Sequence, residues 1–525
     1  MEVKFIDIKD FRDTMLEQRK NGMDFLREIV GMDWGEEGLG AIYILENSET
    51  HENIELAVRT TDREKPQLPS VSDIWQVAEL YEREVYDFFG IVFTGHHDLR
   101  RLFLRNDWVG YPLRKDYDAN EELKQVRLNS EPAEEFKREY DIQDDKEMAE
   151  IVEKLKILHY DQFIINIGPQ HPATHGVLHF HLALEGEEVR KVDIRCGYIH
   201  RGIEKLCESK TYPQTLAFTD RLDYLSAHQN RHCLCMCIEK ALGIEVPHRA
   251  KVIRVMMDEL MRISSHLLSY GCMTMDMGAT TAFFYGFRER EQVLDIFDKT
   301  CGARMSLHYN VIGGVVNDVH PDFIKDVRAL CAIMPERLKE YHKLFTGNVI
   351  AQGRTKGVGV LSLQDAKDYG VTGPSARAAG WKCDVRKRIP YSVYNELEFD
   401  EITMEEGDSF ARYLVRLKEI EQSVKLLEQL CDILEKEEGN EYIAPKVPKI
   451  IKLPAGHWFQ QVEASRGAFG VYIESRGDKS PYRMHFNSPC LNLIGSVDKC
   501  CSGYKIADLI TITASLDYVI PDIDR

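Results

Sequence analysis

Residues 248–271 read HRAKVIRVMMDELMRISSHLLSYG. Ile253, Met256, Met257, Leu260, Ile263, Leu267 and Leu268 recur at the three- and four-residue spacing that lines one side of an α-helix. The stretch is therefore a long helix that must bury an apolar stripe. Pro247 suits a first helical turn, where its missing N–H would be unpaired anyway, and Gly271 suits a C-terminal cap. Two further segments share the period. One spans about 321–346 and ends before Gly347; the other starts at Asp408 and carries Leu414, Leu417, Val424, Leu427 and Leu434 on one face. Long striped helices of this kind make a bundle, and the methionines in the first stripe read as core.

Strand-like segments flank the helices. FIINIG (163–168), VLHFHLALEG (177–186) and VRKVDIRCGY (189–198) are spaced as a short antiparallel meander, and FGVYIESRG (469–477) and YRMHFNS (482–488) return to a strand pattern. Residues 1–118 read as a separate small α/β domain, with AIYILE (41–46) and NIELAVRTT (53–61) as strands. Ser72-Asp73 is the expected N-cap of a helix through Ile74, Val77, Ala78, Tyr81 and Val85, stopped by Gly90. Residues 119–158 are dominated by charge and read as a solvated linker. The second domain is assigned to 159–525, and the whole is expected to be α+β.

With 525 residues, 44% of them hydrophobic, the chain can build more than one core. Its 67 basic and 86 acidic residues give a net charge of -19, which disfavours a general nucleic-acid binder. No apolar run reaches the roughly 18 residues of a membrane-spanning helix, and MEVKFIDIKDFRDTM lacks the apolar core of a secretory signal, so any membrane role is expected to be peripheral. The 13 cysteines are expected to be reduced thiols. None forms a Cys-x-x-Cys knuckle, and Cys233, Cys235 and Cys237 read as buried apolar residues rather than metal ligands.

The densest reactive stretch is GPQHPATHG (168–176). His171 and His175 would share a face on a helix, but Pro169, Pro172 and Gly176 argue for a turn. A metal pair, a structural turn and a turn presenting imidazole into a pocket are all compatible with it. Asp220-Arg221-Leu222-Asp223-Tyr224-Leu225 reads as the start of a helix with local ion pairs. The basic stretch 385–391 reads as an interaction surface or as internal ion pairs. Neither G-x-G-x-x-G, G-x-x-x-x-G-K-[ST] nor G-x-S-x-G occurs, so a nucleotide would bind to another chain.

Several of these stretches together resemble a known family. GPQHPATHGVL (168–178), YIHRGIEK (198–205), DRLDY (220–224), FFYGFREREQVLDIF (283–297), ASRGAFGVYI (464–473), PYRMHF (481–486) and DIDR (522–525) resemble the D subunit of respiratory complex I. Residues 81–117, YEREVYDFFGIVFTGHHDLRRLFLRNDWVGYPLRKDY, resemble its C subunit, so the order implies a fused C and D subunit of a bacterial NADH-quinone oxidoreductase. The D family is related to the large subunits of nickel–iron hydrogenases, which implies a hydrogenase-like helical bundle with small antiparallel sheets. A hydrogenase needs two Cys-x-x-Cys pairs. Here DRLDY stands at the first, and Val519 and Asp522 stand where the terminal thiolates would be.

The resemblance implies a peripheral-arm subunit of a proton pump on the cytoplasmic side of the cell inner membrane. It implies quinone as substrate and no cofactor bound by this chain alone. The expected partners are a small iron–sulfur subunit carrying the terminal cluster, other peripheral-arm subunits and membrane-arm subunits. His175 and Tyr224 resemble the two residues that hydrogen-bond the quinone carbonyls, and Asp276 the carboxylate that pairs with that histidine. His171 and Arg201 are expected on the cofactor side, Arg201 resembling the arginine that lies against the cluster. In GARMSLHYNVIGG (302–314), Ser306 and Val311 stand where relatives commonly place histidine and arginine. A membrane-bound hydrogenase and a non-catalytic scaffold are the competing readings.

Overall fold

The computed structural model describes residues 3–118, 162–437 and 439–525. The charged stretch assigned as a linker lies outside the described residues.

The N-terminal part is a sheet with helices on it. Its elements are β1 (Lys4–Phe5), α1 (Ile8–Lys20), β2 (Phe25–Asp33), β3 (Leu39–Glu46), β4 (Asn53–Thr60) and α2 (Ala78–Phe89). The strands lie in the order β1-β4-β3-β2, with β1 parallel to β4 and the other neighbours antiparallel. The expected cap at Ser72-Asp73 is not where α2 begins. The carboxylate of Glu82 takes the Ser70 hydroxyl and the Val71 N–H, which holds residues 70–72 in a loop, and the helix starts later at Ala78. Gly90 ends it in the left-handed conformation that glycine adopts without strain.

The second part opens with β5 (Gln162–Ile167), β6 (His179–Glu185) and β7 (Glu188–Arg195), an antiparallel meander in the order β7-β6-β5. The bundle follows: α3 (Ala227–Leu242), α4 (His248–Asp276), α5 (Thr280–Cys301), α6 (Phe323–Tyr341) and α7 (Ser409–Lys436). Strands β8 (Ala455–Ala464), β9 (Gly467–Arg476) and β10 (Arg483–Asn487) then form a second antiparallel sheet, and α8 (Ile506–Leu516) and α9 (Ile520–Asp524) close the chain back onto α4 and the earlier loops. The class is α+β, as expected. Strand β8 has no counterpart in the sequence reading.

Helix α4 is the axis of the bundle, packed against α5, α7 and α8. The expected stripe is buried apart from the half-buried Leu268, but so is most of the opposite face, including Arg254, Asp258, Glu259, Arg262 and His266. Buried charges are tolerated only with partners. Arg254 pairs with Glu239 at 2.6 Å, Asp258 with His232 at 2.6 Å, Glu259 with Arg386 at 3.0 Å, and His266 with Glu419 at 2.8 Å. Arg386, from the basic stretch 385–391, thus makes internal ion pairs. Gly271 does not cap α4, which continues to Asp276. A Cβ at Gly271 would lie 3.3 Å from both Phe283 and Phe287, so the glycine serves the close approach of α5.

Cys233, Cys235 and Cys237 are fully buried in α3. Burial pushes the Cys235 and Cys237 thiols up to about 12, the state of a small apolar residue rather than of a thiolate ligand.

The two parts share a core. Phe88, Phe89 and Trp75 belong to one apolar cluster with Leu491, Leu493 and Ile520. Tyr81 donates to Asn492 Oδ1 at 2.8 Å, the Val77 N–H donates to the Asp368 carbonyl at 2.8 Å, and Glu84 pairs with Arg525.

Candidate functional site

The HPATH turn is a miniature hairpin. Gln170–His171 pairs antiparallel with Gly176–Val177, and Pro172–Thr174 make one tight 3-10 turn between them. The buried Thr174 hydroxyl lies 2.8 Å from the His171 carbonyl oxygen and 2.7 Å from that of Gly176, fastening the base of the loop. Gly176 is there for space: a Cβ would sit 2.7 Å from Ile520 Cγ1. The turn therefore rests on the C-terminal helices, and His175, at φ 53°, stands out of it in the left-handed conformation.

His175 meets Asp276, with Nε2 to Oδ2 at 2.7 Å. Asp276 is the last residue of α4, at the negative end of the helix dipole, where a carboxylate is poorly placed unless a cation meets it. The His175 imidazole, when protonated, meets it. Pairing with Asp276 raises the His175 pKa above its ordinary 6.5, against the opposing effect of burial, so the ring favours the protonated form.

Tyr224 is not in a helix. Leu216–Arg221 form a 3-10 segment and α3 starts only at Ala227, so Tyr224 lies in the intervening turn. The turn is built by Asp223, whose Oδ1 accepts the Leu225 N–H at 2.9 Å, an arrangement that competes with helix formation. Tyr224 is 38% exposed, while its remaining burial pushes the phenol above its ordinary 10. It faces Arg466, Asp223, Cys272 and Asp517 electrostatically. His175 also feels Asp517, and Cys272, one turn before Asp276 on α4, feels Asp517, Asp276 and Arg466. The two candidate proton donors therefore border one charged neighbourhood between the hairpin, the 220–225 turn, α4 and the segment before α9.

Arg290 of α5, 7% exposed, is a second cation near Tyr224 and Cys272. Arg290, Arg466, Asp517 and Cys272 were not singled out as site residues in the sequence. Their neighbours lie too far along the chain for spacing to reveal them; only the presence of ASRGAFGVYI and FREREQ among the family-like motifs pointed there.

Two other expected residues lie at the surface. His171 is exposed on the hairpin, and Arg201 is exposed just before the short helix Ile203–Glu208. In the 302–314 loop, His308 Nε2 lies 3.2 Å from Asp220 Oδ2, so the loop reaches the DRLDY turn through His308, while Ser306 sits at φ 57°.

At the hydrogenase-like positions, Val519 is apolar and buried, and the buried Asp522 is hydrogen-bonded with Ser488. Burial raises Asp522 to about 6. Neither is a soft thiolate, so these positions do not fit a nickel–iron centre. Among the described residues, Glu84, Glu204 and His485 bring ligand atoms within 4.8 Å of one another. Arg525 on Glu84 and Arg483 on Glu204 at 2.7 Å already balance those carboxylates, which makes the group an ion-pair cluster.

Known proteins match the chain along nearly its whole length. Residues 276–525 match the family model described as respiratory-chain NADH dehydrogenase, 49 Kd subunit, and residues 1–123 match the 30 Kd subunit. The chain is 58% identical over 522 residues to the C/D subunit of the NADH-quinone oxidoreductase of Phocaeicola vulgatus, covering 99% of each chain. It is 54% identical over 535 residues to the C/D subunit of the Bacteroides thetaiotaomicron enzyme, covering 100% of each. The separate D subunit of the Desulfotalea psychrophila enzyme is 45% identical over 370 residues, 70% of this chain and 99% of that one.

Proposed function

The chain belongs to the family of fused C/D subunits of NADH-quinone oxidoreductase, and from that premise we propose that the His175–Tyr224 neighbourhood binds and protonates the quinone head. The observation that supports this reading is the 2.7 Å His175–Asp276 pair, together with Asp517 as a charge that acts on both His175 and the half-exposed Tyr224. Reduction of a quinone to a quinol takes two electrons and two protons. The electrons come from NADH by way of an iron–sulfur cluster in a small partner subunit. The protons need positioned donors, and an imidazolium and a phenol can each hydrogen-bond a carbonyl oxygen and then release a proton to it. Asp276 holds the imidazole in its charged form until that moment. Loss of the proton leaves the Asp276 charge unbalanced, and this imbalance starts the rearrangement that drives proton pumping.

His171 and Arg201 face the cluster-bearing partner. A guanidinium there eases reduction of the cluster because positive charge stabilises the added electron. No helix of the described residues is long and apolar enough to cross a membrane. Attachment to the cytoplasmic face of the inner membrane is through other peripheral-arm and membrane-arm subunits. Residues 1–118 and 159–525 act as the C-like and D-like domains of this arm.

The test is quinone reduction by the assembled complex carrying His175→Ala or Tyr224→Phe. Loss of a positioned proton donor lowers the rate by about two orders of magnitude. Rates equal to the unmodified complex would leave the chain a scaffold.

A further inference from the structure

Arg466 is buried completely, and its guanidinium joins three elements. Its Nη1 pairs with Asp223 Oδ2 at 3.0 Å and donates to Ser265 Oγ at 2.9 Å. Its Nε donates to the Asp517 carbonyl oxygen at 2.7 Å, and its Nη2 pairs with Asp517 Oδ2 at 3.2 Å. Asp223 belongs to the turn that presents Tyr224. Ser265 belongs to α4, which ends at Asp276. Asp517 opens the segment leading to α9, on which the His175 hairpin rests through Ile520 and Gly176. The segments that in a hydrogenase would share a metal are here tied by one planar cation, whose fork can hold two carboxylates in fixed directions.

Asp517 itself needs that cation. It sits at φ 61°, past the end of α8, where helix carbonyls point toward it. Arg416 approaches from α7, donating to the carbonyls of Ser515 at 2.6 Å and Leu516 at 3.1 Å, but its Nε stands 3.7 Å from the Asp517 carboxylate. The close contacts to Asp517 are those of Arg466.

We propose that Arg466 is a positioning residue of the quinone site, fixing the Tyr224 turn against the Asp517 segment so that the phenol and the His175 imidazole meet the same ring. This inference rests on the reading of His175 and Tyr224 as the quinone's partners. Arg466 acts through Tyr224 and need not touch the substrate. A single-point cation such as lysine can satisfy one carboxylate but not both in the same directions.

The experiment is a double-mutant cycle in the assembled complex, with quinone reduction measured for Arg466→Gln, Tyr224→Phe and the pair, and with Arg466→Lys as the conservative variant. Displacing a reacting group by an ångström costs about 10- to 100-fold in rate, so Arg466→Gln is expected to lose that much. Because it acts through the phenol, the loss shrinks to within about twofold when Tyr224 is already phenylalanine. Arg466→Lys is expected to recover part of the rate. If the glutamine variant does not assemble, Asp223→Asn takes its place in the cycle; it keeps the acceptor for the Leu225 N–H and removes the charge that Arg466 grips. Fully multiplicative losses, or a normal rate in Arg466→Gln, would overturn the positioning role. A normal rate in Tyr224→Phe would instead overturn the quinone-site reading on which it rests.

Discussion

At the scale of single residues, the proposed chemistry rests on an imidazole whose protonated form is favoured by a helix-terminal carboxylate. The His175 pKa is raised in the folded protein by Asp276. The stabilisation from this pair is complete below the ordinary histidine value and is lost as pH rises through the folded value. With the imidazolium as the proposed proton donor, quinone reduction is expected to follow the same sign. Asp276→Asn is expected to move the alkaline limb of the rate–pH profile to lower pH, so that quinone reduction suffers more at pH 8 than at pH 6. A pH-independent loss would separate Asp276 from the protonation of His175. Little of this pair was legible in spacing: 101 positions separate His175 from Asp276, and local sequence says only that one lies in a turn and the other near a helix end. The resemblance to a family, and not periodicity, singled them out. Arg466 was silent for the same reason, its two carboxylate partners lying 243 and 51 positions away.

At the scale of elements, period and turn chemistry carried the reading far but misplaced several boundaries. The strands at 41–46 and 53–61 and the helix capped by Asp408 follow directly from alternation and from a side chain that accepts the Ala411 N–H. Boundaries failed where a side-chain hydrogen bond to the backbone overrode the helical pattern. Ser72-Asp73 lost its capping role because Glu82 bonds the adjacent loop, and DRLDY left the helix because Asp223 bonds its own backbone. Gly271 was misread as a stop because its reason for being glycine lies on α5. Gly271→Leu is expected to force α4 and α5 apart at Phe283 and Phe287, destabilising the protein by about 1–3 kcal/mol as overpacking does. Thermal unfolding of the purified chain measures it, and an unchanged midpoint would mean the helices have slack. Because Asp276 ends the same helix, the assembled complex carrying this variant is also expected to reduce quinone more slowly.

At the scale of the whole molecule, the N-terminal sheet and the bundle are joined by buried charge as well as by apolar contact. Glu28 on β2 is fully buried, lies 4.0 Å from His485 of β10, and also faces Glu55, Asn487 and Arg525. Burial raises its pKa from an ordinary 4.5 to about 7. An acid shifted upward contributes most to stability while protonated, and that contribution is lost as pH rises from the ordinary value through about 7. Glu28→Gln, which keeps the shape and removes the ionisation, is expected to stabilise the chain at pH 8 by on the order of 1–3 kcal/mol and hardly at all at pH 5. Equal effects at both pH values would show that ionisation of Glu28 does not strain the junction.

The junction matters because the same closing segment, residues 517–525, anchors Arg525 at the N-terminal helix α2 and Asp517 at the proposed quinone site. The most direct measurement is a structure of the assembled complex with a quinone head bound. The expected result places one carbonyl oxygen within hydrogen-bonding distance of the His175 ring and the other within reach of the Tyr224 hydroxyl. A head group seated elsewhere, with both side chains turned away from it, would contradict the account.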